Sequence, residues 1–163
     1  MAIVGYMGSG KTTVGRILAR ALRREFVDLD RAIVKEAGKE IPEIFAERGE
    51  EHFRDLEHGA LLDALEGRTS CVVACGGGVV VRPDNRALLG DVTTIFLEED
   101  TGVLYERTRG PGRPLRAASR EEFERRYAER LPFYREVADL VVEVDGRPPA
   151  EIAEEVLGCL SRL

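Results

Sequence analysis

A glycine-rich segment close to the amino terminus has the residue types and spacing of a phosphate-binding loop. Residues 5–12 read Gly-Tyr-Met-Gly-Ser-Gly-Lys-Thr, which fits the pattern of Gly, four residues, Gly, Lys and Ser or Thr. Glycines at these positions allow backbone conformations that bring N–H groups towards phosphate oxygens. Lys11 is expected to reach the β- and γ-phosphates of ATP, and Thr12 to bind one Mg²⁺ ion directly through its hydroxyl. The predicted nucleotide-binding residues of this segment are Gly8, Ser9, Gly10, Lys11, Thr12 and Thr13.

Two acidic residues, Asp28 and Asp30, come where a second strand should end. In an open parallel sheet, that end faces the same crevice as the phosphate-binding loop. If the segment is extended, alternate side chains point opposite ways, so one acid could face magnesium or its water shell and the other an incoming hydroxyl. An Asp-x-Asp pair by itself is more typical of a protein surface. Its position after the second strand favours the catalytic interpretation.

Further groups along the chain could hold a second, anionic ligand. A glycine triplet at residues 76–78 follows an apolar run and would let a ligand approach the backbone N–H groups closely. Arg54, Arg113 and Arg130 would add a local positive field to an acidic protein. Arginine pairs bidentately with carboxylate and phosphate, so the cluster predicts an anionic substrate besides ATP. Taken one at a time, such residues also occur in flexible turns and on solvated surfaces.

These groups need a scaffold that brings distant segments to one edge. The chain alternates short apolar runs with helical patterns, and turn-forming residues follow each run. That alternation predicts an α/β fold of the P-loop kinase type, in which helices flank a five-stranded parallel sheet. The predicted strands are residues 2–4, 26–28, 71–74, 94–97 and 140–144.

The helical patterns can be placed between those strands. The first helix should begin near Lys11 and pack on the sheet through Val14, Ile17, Leu18, Ala21 and Leu22. A second should bury Phe53, Leu56, Ala60, Leu61, Ala64 and Leu65. Ser119 with Glu122 forms a capping box that opens a third helix, and Pro42 with Gly49 delimits a short one.

The length of 163 residues and a hydrophobic content of 44% fit a single domain that spans residues 1–163. Two segments do not serve the sheet directly. Residues 30–66 leave space for a substrate lobe. Residues 109–118, rich in Gly, Pro and Arg, suit a mobile cationic lid, although a solvated surface loop is an equal alternative.

The overall charge and the cysteines limit the possible partners. A net charge of −6 and a pI near 5.1 argue against nucleic acid as the main partner. No apolar run approaches the roughly 20 residues that span a bilayer, and signal-peptide features are missing, so we expect no membrane partner and a cytoplasmic protein. Cys71, Cys75 and Cys159 lack metal-ligand spacing and are expected to be reduced thiols. No apolar stripe is left over, which favours a monomer.

Taken together and in order, these motifs resemble the shikimate kinase family over nearly the whole chain. The motifs are Gly5-x-x-Gly8-x-Gly10-Lys11-Thr12, Asp28-x-Asp30, Phe53-Arg54-x-x-Glu57, Gly76-Gly77-Gly78, Arg113-Pro114-Leu115 and Arg130-x-Pro132-x-Tyr134. The resemblance implies a nucleoside-monophosphate-kinase-like fold. It also implies transfer of the γ-phosphoryl group of ATP to the 3-hydroxyl of shikimate, which gives shikimate 3-phosphate and ADP on the route to chorismate and the aromatic amino acids.

On the acid-substrate side, the resemblance implies a role for each motif residue. Asp30 would hold ring hydroxyls and accept the proton. Arg54 and Arg130 would grip the carboxylate, and Glu57 would orient Arg54. The pocket would be lined by Gly76, Gly77 and Gly78. Its apolar walls would be Phe45 and Phe53, for which core packing is an equally good explanation.

On the nucleotide side, Arg107 resembles a residue that packs against adenine, and Arg147 is expected to join the same site. Asp28 would act through the water shell of the magnesium ion. Arg113 resembles a lid arginine that closes over the phosphates. With Lys11 and magnesium, it would neutralise charge on the γ-phosphoryl group during transfer.

Two other interpretations of the same motifs stay open. One is another small-molecule kinase of this fold, such as a gluconate-type or nucleotide kinase, against which the two arginines and the glycine triplet favour a compact carboxylate. The other is a catalytically silent module that binds nucleotide and senses a metabolite. The joint presence of Lys11, Thr12, Asp28, Asp30 and Arg113 speaks against silence.

Overall fold

The computed structural model describes residues 1–66, 70–108 and 119–162. Within them, five parallel strands form one sheet in the order β2-β3-β1-β4-β5, which confirms the predicted sheet. The strands are β1 (Ala2–Val4), β2 (Glu25–Asp28), β3 (Cys71–Ala74), β4 (Thr94–Glu98) and β5 (Leu140–Glu143). The central strands are continuous apolar runs because helices cover both faces of the sheet.

Seven helices and one 3-10 turn occur in the described residues. They are α1 (Lys11–Ala21), α2 (Leu29–Ala37), α3 (Ile41–Glu66), α4 (Pro83–Gly90), α5 (Thr101–Arg107), α6 (Arg120–Val137) and α7 (Pro149–Leu160), with the 3-10 turn at Val79–Val81. No helix in this described part of the chain is both long and apolar enough to cross a membrane.

Alternate residues of the strands feed two separate cores. Ile3 of β1 packs with α1 and α7 on one face, whereas Ala2 and Val4 pack with α2, α3 and α6 on the other. The second face carries the larger core, which extends into the segment between β2 and β3. That extension is the part of the fold that borders the candidate site.

Helix α1 differs in one detail from its predicted buried face. Val14 and Leu18 are buried as expected, but Ala21 is exposed and Ala19 is buried instead. The buried stripe is rotated towards Gly15 and Ala19, because their small side chains let the helix lie close to the sheet. Ala21 is left at the margin of the stripe.

The boundaries of the other helices follow local signals. The side chain of Ser119 accepts a hydrogen bond from the N–H of Glu122 over 3.1 Å, as a capping residue should. Gly49 has φ of 81° and ψ of 177°, so it breaks α3 into a short first part and a longer second part. The predicted short helix between Pro42 and Gly49 is therefore confirmed. The first part of α3 packs on the core through Ile44 and borders the candidate site through Ile41, Pro42 and Phe45.

Candidate active site

The glycine-rich loop connects β1 to α1 and lines a cleft at the carboxyl edge of the sheet. Gly8 and Gly10 have φ of 87° and 89°, a region that favours glycine, and α1 begins directly after Gly10. The Nζ atom of Lys11 donates to the carbonyl oxygen of Tyr6 over 2.8 Å. Ser9 is buried in the loop. The positive end of α1 and the Lys11 ammonium thus meet in one place, which suits phosphate.

Thr12 and Asp28 contact each other in this cleft. The hydroxyl of Thr12 donates to Oδ2 of Asp28 over 3.0 Å, while Oδ1 of Asp28 accepts from the N–H of Arg31 over 3.3 Å. Hydroxyl and carboxylate oxygens are ligands that Mg²⁺ prefers, usually together with phosphate oxygens and waters. Among the described residues there is no group of three or more His, Cys, Asp or Glu side chains that could hold a metal alone. The pair therefore fits an ion that is shared with a nucleotide.

The sequence led us to expect Asp30 on an extended segment, but the structure places it in a helix. Asp28 ends β2 and caps α2, which begins at Leu29, so Asp30 falls in the first helical turn. It is still brought to the site, because the first turn of α2 faces the cleft. Burial raises the pKa of the Asp30 carboxyl above 3.8; the charges of Lys11 and Arg54 oppose this rise, and that of Asp28 adds to it. A raised pKa suits a group that accepts a proton near neutral pH.

Two clefts meet at Asp30. The smaller, of about 330 Å³, is lined by the phosphate-binding loop, by Thr12 and Thr13 and by Asp28. The larger, of about 530 Å³, is bordered by α3, the glycine triplet and α6. The residues that line both are Met7, Asp30, Gly76 and Gly77. A group transferred from one cleft to the other would pass these residues.

Arg54 lies on α3 in the larger cleft and is held by carboxylates on two sides. Its Nη1 donates to Glu57 over 2.6 Å, and its Nε and Nη2 donate to Glu50 over 3.3 and 3.1 Å. The Glu57 side chain is only 1% exposed. Burial raises the pKa of Glu57, and the charge of Arg54 opposes the rise. Glu57 therefore has the position that orienting Arg54 requires.

The glycine triplet lets these charged groups approach the backbone. A Cβ on Gly76 would lie 2.8 Å from Oδ1 of Asp30 and 2.9 Å from Oε1 of Glu57. A Cβ on Gly78 would collide with the guanidinium of Arg54. The triplet is thus more than a flexible turn, because side chains there would displace the acid and the arginine.

Arg130 reaches the same cleft from α6. Its Nη1 donates to the carbonyl oxygen of Gly77 over 3.3 Å, and its guanidinium lies 5.5 Å from the centre of the Tyr6 ring. The hydroxyl of Tyr134 also donates to the Gly77 carbonyl. Arg54 of α3 and Arg130 of α6 therefore both lie beside the glycine triplet. The structure brings together the two arginines that were predicted to bind the substrate carboxylate.

Phe45 and Phe53 form an apolar wall of the larger cleft. Their ring centroids are 4.6 Å apart, and both residues line the cavity. Phe53 is buried and belongs to the core, whereas Phe45 is half-buried and packs against it. The two explanations offered by the sequence, a substrate wall and core packing, therefore hold together.

The predicted nucleotide arginines have different surroundings. Nη1 of Arg107 lies 3.4 Å from the Gly8 carbonyl oxygen in the phosphate-binding loop. Arg147 pairs with Glu155 over 2.6 Å and also donates to the carbonyl oxygen of Glu143, so its side chain is held on α7 and β5. Arg113 and the rest of residues 109–118 lie outside the described residues.

Comparison with known proteins agrees with this geometry. The family model for shikimate kinase matches residues 7–161. A shikimate kinase from Marinomonas sp. (strain MWYL1) is 39% identical over an alignment 165 residues long, and the alignment covers 98% of this chain and 91% of that protein. One from Aromatoleum aromaticum is 44% identical over 160 residues, which cover 96% and 91%. The chain belongs to the shikimate kinase family.

Solved structures extend the agreement to the fold. The shikimate kinase from Acinetobacter baumannii, in complex with shikimate, superposes with a TM-score of 0.92 at 36% identity and covers 99% of this chain and 92% of that one. A gluconokinase from Sinorhizobium meliloti 1021, at 21% identity and a TM-score of 0.58, shares the fold alone. The predicted P-loop kinase fold is confirmed. As a shikimate kinase family member, the chain is an ATP-dependent kinase.

Several residues that line this site were not predicted from the sequence. Tyr6, Met7, Glu50 and Arg126 all line the larger cleft. Two of them carried a signal, because Glu50 precedes Arg54, and Arg126 precedes Arg130, by four residues on one helix. Residues four apart share a helix face, so each could have been placed beside its predicted neighbour.

Proposed function

We propose that the chain phosphorylates shikimate, with transfer of the γ-phosphoryl group of ATP to the 3-hydroxyl to give shikimate 3-phosphate and ADP. The observation that carries the proposal is the junction of the two clefts at Asp30, with a phosphate-binding loop on one side and two arginines on the other. Such a junction suits a small hydroxylated carboxylate better than an uncharged sugar, because Arg54 and Arg130 supply planar donors for a carboxylate. The solved relative from Acinetobacter baumannii, which is in complex with shikimate, supports this choice.

We call the larger cleft the acid cleft, because it would bind the acid shikimate. In this proposal, each of its residues has one task. Arg54 and Arg130 bind the carboxylate, and Glu57 keeps Arg54 in position through its 2.6 Å contact. Asp30 binds ring hydroxyls and takes the proton of the 3-hydroxyl as the oxygen attacks the γ-phosphorus and the bond to the ADP oxygen breaks. Gly76, Gly77 and Gly78 let the ring approach the backbone. Phe45 and Phe53 exclude water from one side.

On the nucleotide side, the phosphates would lie on the loop at residues 8–13, with Lys11 neutralising charge on the transferred group. A magnesium ion fits the Thr12 hydroxyl directly and Asp28 through water, since these two oxygens already lie 3.0 Å apart beside the loop. When bound, the ion supplies charge neutralisation on the phosphate oxygens. Arg107 and Arg147 would contact the nucleoside part of ATP.

The proposal also covers the organisation of the chain. Residues 1–163 would form a single domain, with residues 30–66 as the substrate lobe and residues 109–118 as the lid that carries the catalytic Arg113. Loss of the Arg113 side chain should lower kcat by on the order of 10³. We propose a cytoplasmic monomer. The few exposed large apolar side chains among the described residues, which are Val81, Val103 and Val141, support a monomer. The three cysteines form no disulfide, which supports a reducing compartment.

A coupled assay of ADP release, with and without shikimate, tests the proposed function. ADP should form only with shikimate present, and gluconate or a nucleoside monophosphate should not replace it. Turnover with one of those acceptors instead would identify a different kinase of this fold. No turnover with any acceptor, in a protein that binds ADP, would favour the silent module.

A further inference from the structure

Glu99 is a buried carboxylate next to the nucleotide cleft that the proposed mechanism does not use. It follows directly after β4, and its side chain is only 1% exposed. A buried carboxylate is costly unless charged or N–H partners compensate it. Its contacts therefore show which parts of the molecule it holds.

The Glu99 carboxylate contacts the end of α5, the turn after β5 and the residue that follows it in the chain. One oxygen, Oε2, accepts from Nη1 of Arg107 over 3.0 Å and from the N–H of Gly146 over 3.4 Å. The other, Oε1, accepts from the N–H of Asp100 over 3.1 Å. The end of α5 and the turn after β5 are thus both tied to the Glu99 side chain, while the bond from Asp100 is local.

Two of these segments carry the proposed nucleotide contacts. Nη1 of Arg107 also lies 3.4 Å from the Gly8 carbonyl oxygen, so Glu99 holds the guanidinium against the phosphate-binding loop. Gly146 precedes Arg147 in a turn where Asp145 and Gly146 have φ of 41° and 67°. The Glu99 carboxylate therefore holds in place both segments that would contact the nucleotide, the end of α5 and the turn after β5.

We infer that Glu99 is a positioning residue for the nucleotide, which acts through Arg107 to set the affinity for the nucleoside part of ATP. An arginine that is 37% exposed would otherwise sample many rotamers, and only an ordered guanidinium plane stacks well on a base. This inference rests on the proposed role of Arg107 at the nucleotide. It adds a residue that touches neither substrate.

Its neighbour Glu98 provides a matched control. Glu98 pairs with Arg135 of α6 over 2.6 Å, with side-chain exposures of 21% and 57%. It therefore carries the same charge on the same strand end, with a partner on α6 and none at the phosphate-binding loop.

The first experiment titrates Mg-ADP into wild type, Glu99→Gln and Glu98→Gln by calorimetry. Glu99→Gln should weaken ADP binding by about tenfold, as loss of a charge-assisted hydrogen bond does, while Glu98→Gln stays within about twofold of wild type. The KM for shikimate should change less than about twofold in both variants, because the acid cleft is untouched. Unchanged ADP affinity in folded Glu99→Gln, or an equal loss in Glu98→Gln, would overturn the inference.

A double-mutant cycle separates positioning from a general loss of structure. If Glu99 acts through Arg107, Glu99→Gln should have less than about a twofold effect on ADP affinity when Arg107 is already Ala. An equal effect in both backgrounds would overturn the inference. Should Glu99→Gln fail to fold, Arg107→Ala alone still decides, since unchanged ADP affinity in that variant leaves Glu99 nothing to position. ADP binding needs no acceptor, so failure of the wild type to phosphorylate shikimate would refute the proposed function separately.

Discussion

The phosphate-binding loop and the acid cleft are built in different ways. The loop is one contiguous segment whose shape comes from Gly8 and Gly10, with φ near 90° at both, and from the start of α1. The acid cleft is assembled from the neighbouring helices α2 and α3 together with the glycine triplet and α6, which lie much further along the chain. Backbone groups and a helix end form the first site, whereas side chains held by other side chains form the second.

The difference affects how each site depends on its surroundings. A backbone cradle is fixed once its local conformation is fixed, so nearby core changes should disturb it little. The acid cleft instead keeps the buried carboxylate of Glu57 and the partly buried one of Asp30 close to the cation Arg54. Such groups depend on one another, because removal of one leaves another charge buried without its partner. Substitutions at five positions test this contrast.

Of these five substitutions, Lys11→Ala should have the largest effect on turnover and little effect on the fold. The side chain contacts the Tyr6 carbonyl at the cleft and contributes little to the core, but it would meet phosphates whose charge changes during transfer. We expect kcat to fall by on the order of 10³, with the melting temperature nearly unchanged. Steady-state kinetics with a thermal melt checks both. Near-normal turnover of the folded variant would refute the assignment of the loop.

Asp30→Asn should lower kcat by on the order of 10² and change shikimate affinity less, because the amide keeps the shape but cannot take the proton. In the wild type, the carboxyl must be ionised to act, and burial raises its pKa above 3.8. Activity should therefore fall as the pH drops through this raised value, and that acid limb should vanish from the residual activity of the variant. Profiles of kcat against pH provide the measurement.

Asp30→Asn should lower activity but raise the stability of the folded state at neutral pH. A carboxyl whose pKa is raised on folding destabilises the folded state above its unfolded pKa, and this cost disappears when both states are protonated. Asp30→Asn should therefore melt at a higher temperature than wild type at pH 7, and the gain should shrink towards pH 3.8. A variant less stable than wild type at pH 7 would show that the carboxylate stabilises the fold.

Arg54→Ala and Arg130→Ala should each weaken shikimate binding by about tenfold or more, since each removes charge-assisted hydrogen bonds to a carboxylate. Lysine at either position should restore only part of the affinity. The two should differ in stability, because Arg54→Ala leaves Glu57 buried at 1% exposure without its hydrogen-bonded cation. Among the described residues, Arg130→Ala instead removes a hydrogen bond to the Gly77 carbonyl and a contact with the Tyr6 ring. Adding Glu57→Gln to Arg54→Ala should then recover stability but not affinity. Calorimetry and thermal melts separate the two properties, and wild-type affinity in both alanine variants would exclude the carboxylate fork.

Gly78→Ala should give the smallest effect, confined to the acid cleft. The added Cβ must push the Arg54 guanidinium aside, which costs about 1 kcal/mol or roughly fivefold in shikimate affinity. ADP affinity should not change. Gly59→Ala is the matched control, because a Cβ there meets no atom within 4 Å and alanine favours the helix. Equal shikimate affinities in the two variants would mean that the triplet is only a turn.

The phosphate-binding loop, the strand segments and the cap at Ser119 could be predicted because each depends on neighbours in the sequence. Glycine spacing sets the loop conformation, apolar runs mark the strands, and a serine three residues before a glutamate marks a helix start. Asp30 was assigned to the site correctly but to the wrong local structure. The N–H of Arg31 donates to the Asp28 carboxylate, and this capping bond starts α2 at Leu29, two residues earlier than an Asp-x-Asp segment extended through Asp30 would allow.

By itself, the sequence determined the phosphate-binding loop and the five strands, because short-range conformational preferences fix these features. The order of the motifs could be taken from the sequence directly. The tertiary structure alone decided the strand order β2-β3-β1-β4-β5, the approach of Arg54 to Gly78, and the burial of Glu57 and Glu99. These depend on contacts between residues far apart in the chain. Their free energy comes from packing the whole core and compensating buried charge, so no local pattern of residues reveals them.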